Sequence, residues 1–87
     1  MKQTQYHYNL IFKTEPEGGY TVLVPALPGC ITYGKTLEEA REVAIDAIGG
    51  YIKSLQKHNE PIPNDEKSFI TSLDFNLTGR LCLAYLG

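Results

Sequence analysis

The stretch Gly19-Tyr20-Thr21-Val22-Leu23-Val24-Pro25-Ala26-Leu27-Pro28-Gly29-Cys30-Ile31-Thr32-Tyr33-Gly34-Lys35-Thr36-Leu37-Glu38-Glu39-Ala40 decides the architecture of this chain. Val22 to Val24 read as the end of an apolar strand. Pro25 and Pro28 then remove two backbone donors and fix φ, while Gly29 permits a turn that other residues resist. Cys30 to Tyr33 form a second short strand, which Gly34 breaks. Thr36 followed three residues later by Glu39 is a capping box, the signature of a helix start.

Outward from this stretch the periodicities are clear. Towards the N-terminus, Tyr6, Tyr8, Leu10 and Phe12 alternate with His7, Asn9, Ile11 and Lys13, the period of a half-buried strand over 6–13. Thr14 to Gly19 is a turn by composition, and Tyr20 to Val24 is the returning strand. Three consecutive strands with short links predict an antiparallel meander. On the other side, Leu37, Ala40, Val43, Ala44, Ala47, Ile48, Tyr51, Ile52 and Leu55 recur at spacings of three and four, building one apolar stripe. Glu38 and Glu39 suit the positive helix start, and Lys53, Lys57 and His58 its negative end. Asn59, Pro61 and Pro63 stop it, so the helix is expected over 37–57.

Gly49-Gly50 is the anomaly in that helix, since an interior glycine costs about 1 kcal/mol relative to alanine. Two readings stand: a tolerated weak spot, or a place where another chain approaches Gly49 on the side it shares with Arg41, Ile45 and Lys53. Beyond the helix, Asn59 to Ser68 is a polar loop, and Phe69, Thr71, Leu73 and Phe75 alternate with Ile70, Ser72 and Asp74. This predicts a fourth strand over 68–76. Residues 77–87 form a short extension whose Leu81, Leu83 and Tyr85 alternate with Cys82, Ala84 and Leu86. A strand apolar on both faces must be buried on both or cover another chain. The expected fold is α+β: a three-stranded antiparallel meander, one long helix and a fourth strand, in one domain over 1–76.

Composition narrows the functional classes. The 87 residues are 43% hydrophobic and 21% charged, which fits one ordinary globular domain. The apolar run at 81–86 is far short of the ~20 residues a membrane span needs, and the N-terminus lacks a signal peptide's apolar core. Cytoplasmic residence is the expectation. The net charge is −2 and the eight basic residues are scattered, which argues against a general nucleic-acid binder. Cys30 and Cys82 match no metal-ligand or redox spacing and are expected as free thiols.

Chemistry finds little purchase. A metal-dependent nuclease needs several carboxylates converging from strand and helix, and the first two strands contain none. Glu38, Glu42 and Asp46 share the polar side of the helix and read as solvated charge. His7 and His58 have no partner at nucleophile or metal-ligand spacing. Ser54, Ser68 and Ser72 sit in no nucleophile elbow, and Gly18-Gly19 lies in a hairpin rather than a phosphate loop. No cofactor, metal or catalytic residue is expected. The tyrosines are better suited to recognition, since each offers a large contact area with one polar tip. Tyr6, Tyr8 and Tyr20 are expected on the core side, and Tyr33, beside Gly34, partly exposed.

The order Val-Pro-x-x-Pro-Gly-Cys-x-x-x-Gly-x-Thr-x-x-Glu-Ala, over residues 24–40, resembles the N-terminal domain of the HicB antitoxin family. The resemblance covers roughly residues 6 to 75. It implies a partial RNase H-like fold without catalytic carboxylates, and a protein partner: HicA, a small basic mRNA-cleaving toxin neutralised when its RNA-facing surface is covered. Glu15, Glu17 and Tyr33 are the candidate partner-binding residues, because they lie on or beside loops a partner can reach. The family typically adds a C-terminal DNA-binding segment. Only about a dozen residues follow the fourth strand, too few for such a module, so operator binding is not expected of this sequence. A single helix covers one sheet face, so a homodimer or higher homo-oligomer is also expected. The alternative function is a stand-alone oligomeric HicB-like domain with another protein- or ligand-binding role. A nuclease with an unusual carboxylate set is the third reading.

Overall fold

The computed structural model describes residues 5–77. Three antiparallel strands, β1 (Ile11–Thr14), β2 (Tyr20–Leu23) and β3 (Ile31–Gly34), form a sheet in the order β1-β2-β3. A single helix, α1 (Leu37–Lys57), follows and packs across β2 and β3 without reaching β1. The arrangement is α+β, as the patterning predicts.

The helix forms as its sequence dictates. Thr36 sits in an extended conformation and its hydroxyl accepts the Glu39 N–H at 3.0 Å. The Glu39 carboxylate reaches back to the Lys35 N–H at 2.6 Å, one residue earlier than the reciprocal bond of the usual capping box. At the other end Asn59 takes the left-handed conformation, φ 57°. Asn59 N–H donates to the Gln56 carbonyl at 3.1 Å and Glu60 N–H to Leu55 at 2.9 Å. That pair of bonds is a Schellman motif, with asparagine in the place glycine commonly takes.

The core has two parts joined by Leu10. In one, Val22, Ala40 and Ala44 are fully buried, with Leu10 and Tyr20 against them. Small residues let the helix lie close to the sheet: a Cβ on Gly34 would overlap the backbone of Ala40. In the other, Val24, Leu27 and Cys30 pack with Tyr8, Leu10, Ala47, Ile48 and Tyr51. Leu27 is fully buried because the corner folds over itself. Leu27 N–H donates to the Val24 carbonyl at 3.0 Å, Cys30 N–H to Leu27 at 3.0 Å, and Val24 N–H to Cys30 at 3.2 Å. Gly29, at φ 83°, supplies the left-handed residue that this closure requires. The Tyr51 hydroxyl ties the helix to the corner by donating to the Pro28 carbonyl at 2.8 Å.

Several expectations need correction. Strand pairing begins at Ile11, not Tyr6. Residues 7–9 are instead held by the loop after the helix. Asp65 N–H donates to the His7 carbonyl at 2.8 Å, His7 N–H to Asn64 Oδ1 at 3.1 Å, and Asn9 Nδ2 to the Ser68 carbonyl at 3.2 Å. The Tyr8 hydroxyl donates to the Pro63 carbonyl at 2.6 Å. Tyr6 is exposed and stacks on Tyr8 with ring centroids 6.4 Å apart. Val43 lies on the flank of the helical stripe and is exposed, while Ala40 and Ala44 carry the contact. Residues 68–76 form no strand in the single chain, since no edge pairs their backbone. The expectations for residues 78–87 lie outside the described residues.

A candidate partner-binding surface

Cross-strand partners share a sheet face, so the register sorts the side chains. Phe12, Val22 and Thr32 align in one row, and Val22 packs on Ala40 and Ala44, which makes this the helix side. The next row, Ile11, Leu23 and Ile31, therefore lies on the opposite face, as does the row Lys13, Thr21 and Tyr33. α1 is the sole helix among the described residues, so no described helix covers this face. Ile31 is 59% exposed and Tyr33 49%.

Tyr33 reaches from β3 across Thr21 to the first hairpin. Its hydroxyl donates to the Gly18 carbonyl at 2.8 Å. Gly19, at φ 86°, makes room, since a Cβ there would overlap the Tyr33 phenol. In the same hairpin Gly18 N–H donates to the Glu15 carbonyl at 2.9 Å and Glu15 N–H to Gly19 at 3.1 Å. The Glu15 carboxylate accepts the Thr21 hydroxyl at 2.5 Å. Of the three residues singled out from sequence, Glu15 and Tyr33 are bonded to Thr21 and Gly18 at the hairpin end of the sheet, and Glu17 is exposed in the turn.

Sequence reasoning missed the apolar row Ile11–Leu23–Ile31. Its signal was available in the parity of the hairpin. Once Val22 faces the core, its neighbour Leu23 must face away, and so must the residues paired with Leu23.

The remaining polar groups are structural. His58 Nδ1 lies 2.8 Å from the Ser54 carbonyl at the helix end, and His7 Nε2 lies 3.3 Å from Asn9 Oδ1. Among the described residues no three His, Cys, Asp or Glu side chains gather as a metal site would require. Cys30 is a free, buried thiol, and burial pushes its pKa up, away from the reactive thiolate. Burial also raises the Tyr8 phenol, helped by Tyr6 and Asp65. A shallow open depression of about 300 Å³ lies between Gln5, Tyr6, His7, Asn64 and Glu66. No described helix is long and apolar enough to cross a membrane.

The fold and this surface describe a small α+β domain with a helix on one sheet face and an open face opposite. A family model for the HicB-like antitoxin of bacterial toxin-antitoxin systems matches residues 8–76, and the chain belongs to that family. It is 52% identical to UPF0150 protein Ta0767 of Thermoplasma acidophilum over 64 residues, 74% of this chain and 93% of that protein. UPF0150 protein ssr1765 of Synechocystis is 38% identical over 61 residues, 70% of this chain and 77% of that protein. Antitoxin HicB 1 of Photorhabdus laumondii is 39% identical over 56 residues, 64% of this chain but 36% of that longer protein.

Proposed function

We propose that this domain is a non-enzymatic antitoxin module that binds a HicA-type mRNA-cleaving toxin in the cytoplasm and covers its RNA-facing surface. The observation that carries the reading is the family match over residues 8–76, most of the chain. The open face gives it a physical basis. A ribonuclease surface that grips RNA is basic, and Glu15 and Glu17 offer it negative charge beside the flat ring of Tyr33. Ile11, Leu23 and Ile31 supply apolar area next to that polar end, the mixture typical of recognition surfaces. Charge steers the encounter, and the aromatic and aliphatic groups hold the complex.

Co-expression with the product of the adjacent reading frame tests the proposal. Co-purification of the two chains, with relief of mRNA cleavage, is the expected result. A wild-type domain that captures no such protein would favour the second reading, a stand-alone oligomeric HicB-like domain with another protein- or ligand-binding role. One observation supports that alternative: residues 69–77 expose Phe69, Leu73, Phe75 and Leu77, more apolar surface than a monomer of this size ordinarily leaves in water.

A further inference from the structure

We propose that residues 69–77 are an exchanged strand: in a two-fold dimer, each copy lays this arm along the outer edge of β1 in the other copy. The inference stands independently of toxin binding.

The arm has the composition of a strand without a place in its own sheet. Phe69 and Leu73 are each 85% exposed, Phe75 61% and Leu77 66%. With Thr71 they form the odd-numbered row, while Ile70, 52% exposed, Ser72, Asp74 and Asn76 alternate with them on the other side. An extended segment that is apolar along one face and mostly polar along the other is suited to a sheet edge.

β1 is an edge with that vacancy. Among the described residues it pairs with β2 on one side alone, and all four of its residues are exposed. The helix does not reach it, so Phe12, on the helix side of the sheet, stays 36% exposed. A strand added here would set its odd-numbered row beside Phe12 and complete the surface at the helix flank.

The arm is kept from its own β1 by the turn that launches it. Asn64, Asp65 and Ser68 bond to His7 and Asn9, so the chain runs alongside residues 7–9. Ser68 N–H then donates to the Asp65 carbonyl at 2.9 Å, closing a tight turn. Phe69, the very next residue, is already solvent-exposed. The chain leaves the body instead of continuing along Ile11–Thr14.

The area is sufficient for a stable pair. An aromatic side chain buries roughly 150–250 Å², so Phe69 and Phe75, 85% and 61% exposed, supply at most about 600 Å² from two arms, and the surfaces they cover a similar amount. That total reaches the lower end of the roughly 1,200–2,000 Å² of specific interfaces. The contact is isologous, arm to β1 and β1 to arm, and therefore closes at two copies.

Sedimentation velocity and light scattering on the full chain test the exchange, with circular dichroism as the control for folding. Wild-type protein should be dimeric at roughly 50 μM, since assembly follows mass action. Leu73→Asp with Phe75→Asp should give a monomer with unchanged helical signal. Thr71→Pro and Ser72→Pro are then compared singly. Neighbouring N–H groups of a strand point to opposite sides, so one proline removes a ladder donor and the other an outward one. Strand addition predicts that the first weakens dimerisation at least about tenfold more than the second. Monomeric wild type, a dimer indifferent to the aspartates, loss of the helix in the aspartate variant, or equal effects of the two prolines would each overturn the proposal.

Discussion

The Tyr33 hydroxyl donates to the Gly18 carbonyl at 2.8 Å, so a residue of the third strand fixes the turn between the first two. Glu15 and Glu17 stand on the same hairpin, which its own bonds Gly18 N–H to Glu15 and Glu15 N–H to Gly19 also close.

The proposed toxin-binding role of this corner divides into two measurable parts. Replacing Glu15 and Glu17 together by glutamine should slow association and flatten its salt dependence, with little change in dissociation. Tyr33→Ala should speed dissociation, at a cost of about 2 kcal/mol if the ring is desolvated in the complex. Tyr33→Phe separates the ring from its bond to Gly18, and retention of most affinity is expected. Surface-plasmon-resonance kinetics at two ionic strengths read all three.

Leu27 is the plug of the corner, fully buried between Val24 and Cys30. Leu27→Ala should destabilise the domain by roughly 2–5 kcal/mol, the range for a large-to-small core change. Urea denaturation measures this directly.

At the helix start, Thr36→Ala removes the acceptor for Glu39 N–H. A loss of about 1 kcal/mol is expected, and Thr36→Ser or Thr36→Asp should restore most of it.

Gly49 and Gly50 are exposed, and a Cβ at either would meet nothing within 4 Å. Alanine at each should stabilise the isolated domain by about 1 kcal/mol. If binding to a partner weakens while thermal stability rises in Gly49→Ala, the glycine serves close approach by another chain. Unchanged binding assigns it to tolerated helix weakness.

Alkaline pH should destabilise the fold through Cys30 first and Tyr8 second. Both groups have pKa values raised by burial, above ordinary values of 9.0 and 10.0. Each is neutral in the folded state where the unfolded chain has already lost its proton, so the stability it lends is full below those values and falls as pH rises through them. Cys30→Ala should remove the part of the decline that sets in around pH 9. Urea midpoints at neutral pH and between pH 9 and 10, compared between the two proteins, check the sign.

The helix was legible in the sequence to its ends, because its signals are local: the Thr36 cap, the apolar stripe and Asn59 before the prolines. The meander was legible in order but less so in extent. Tyr6, Tyr8 and Leu10 alternate like a strand, yet what lies beside residues 7–9 is a loop more than fifty residues later, which bonds largely through Asn64, Asn9 and Tyr8. Periodicity reports which way side chains point and not what pairs the backbone. The same limit applies to residues 68–76, where alternation is real but a strand exists only where an edge accepts it. Glu15, Glu17 and Tyr33 were identifiable as loop or near-loop residues. Their closeness depends on a tyrosine crossing a strand, which spacing alone does not encode.

The turn at Asp65–Ser68 also sets an order of events during synthesis. Every buried residue among those described lies between Val22 and Ala44, and the partners packed on them extend only from Tyr8 to Tyr51. The core can therefore close once the helix has cleared the ribosome, and the bonds to His7 and Asn9 seal it as far as Ser68. For a chain made at roughly 5–20 residues per second, Tyr51, the last residue packed on the core, is joined about one to four seconds before Phe69.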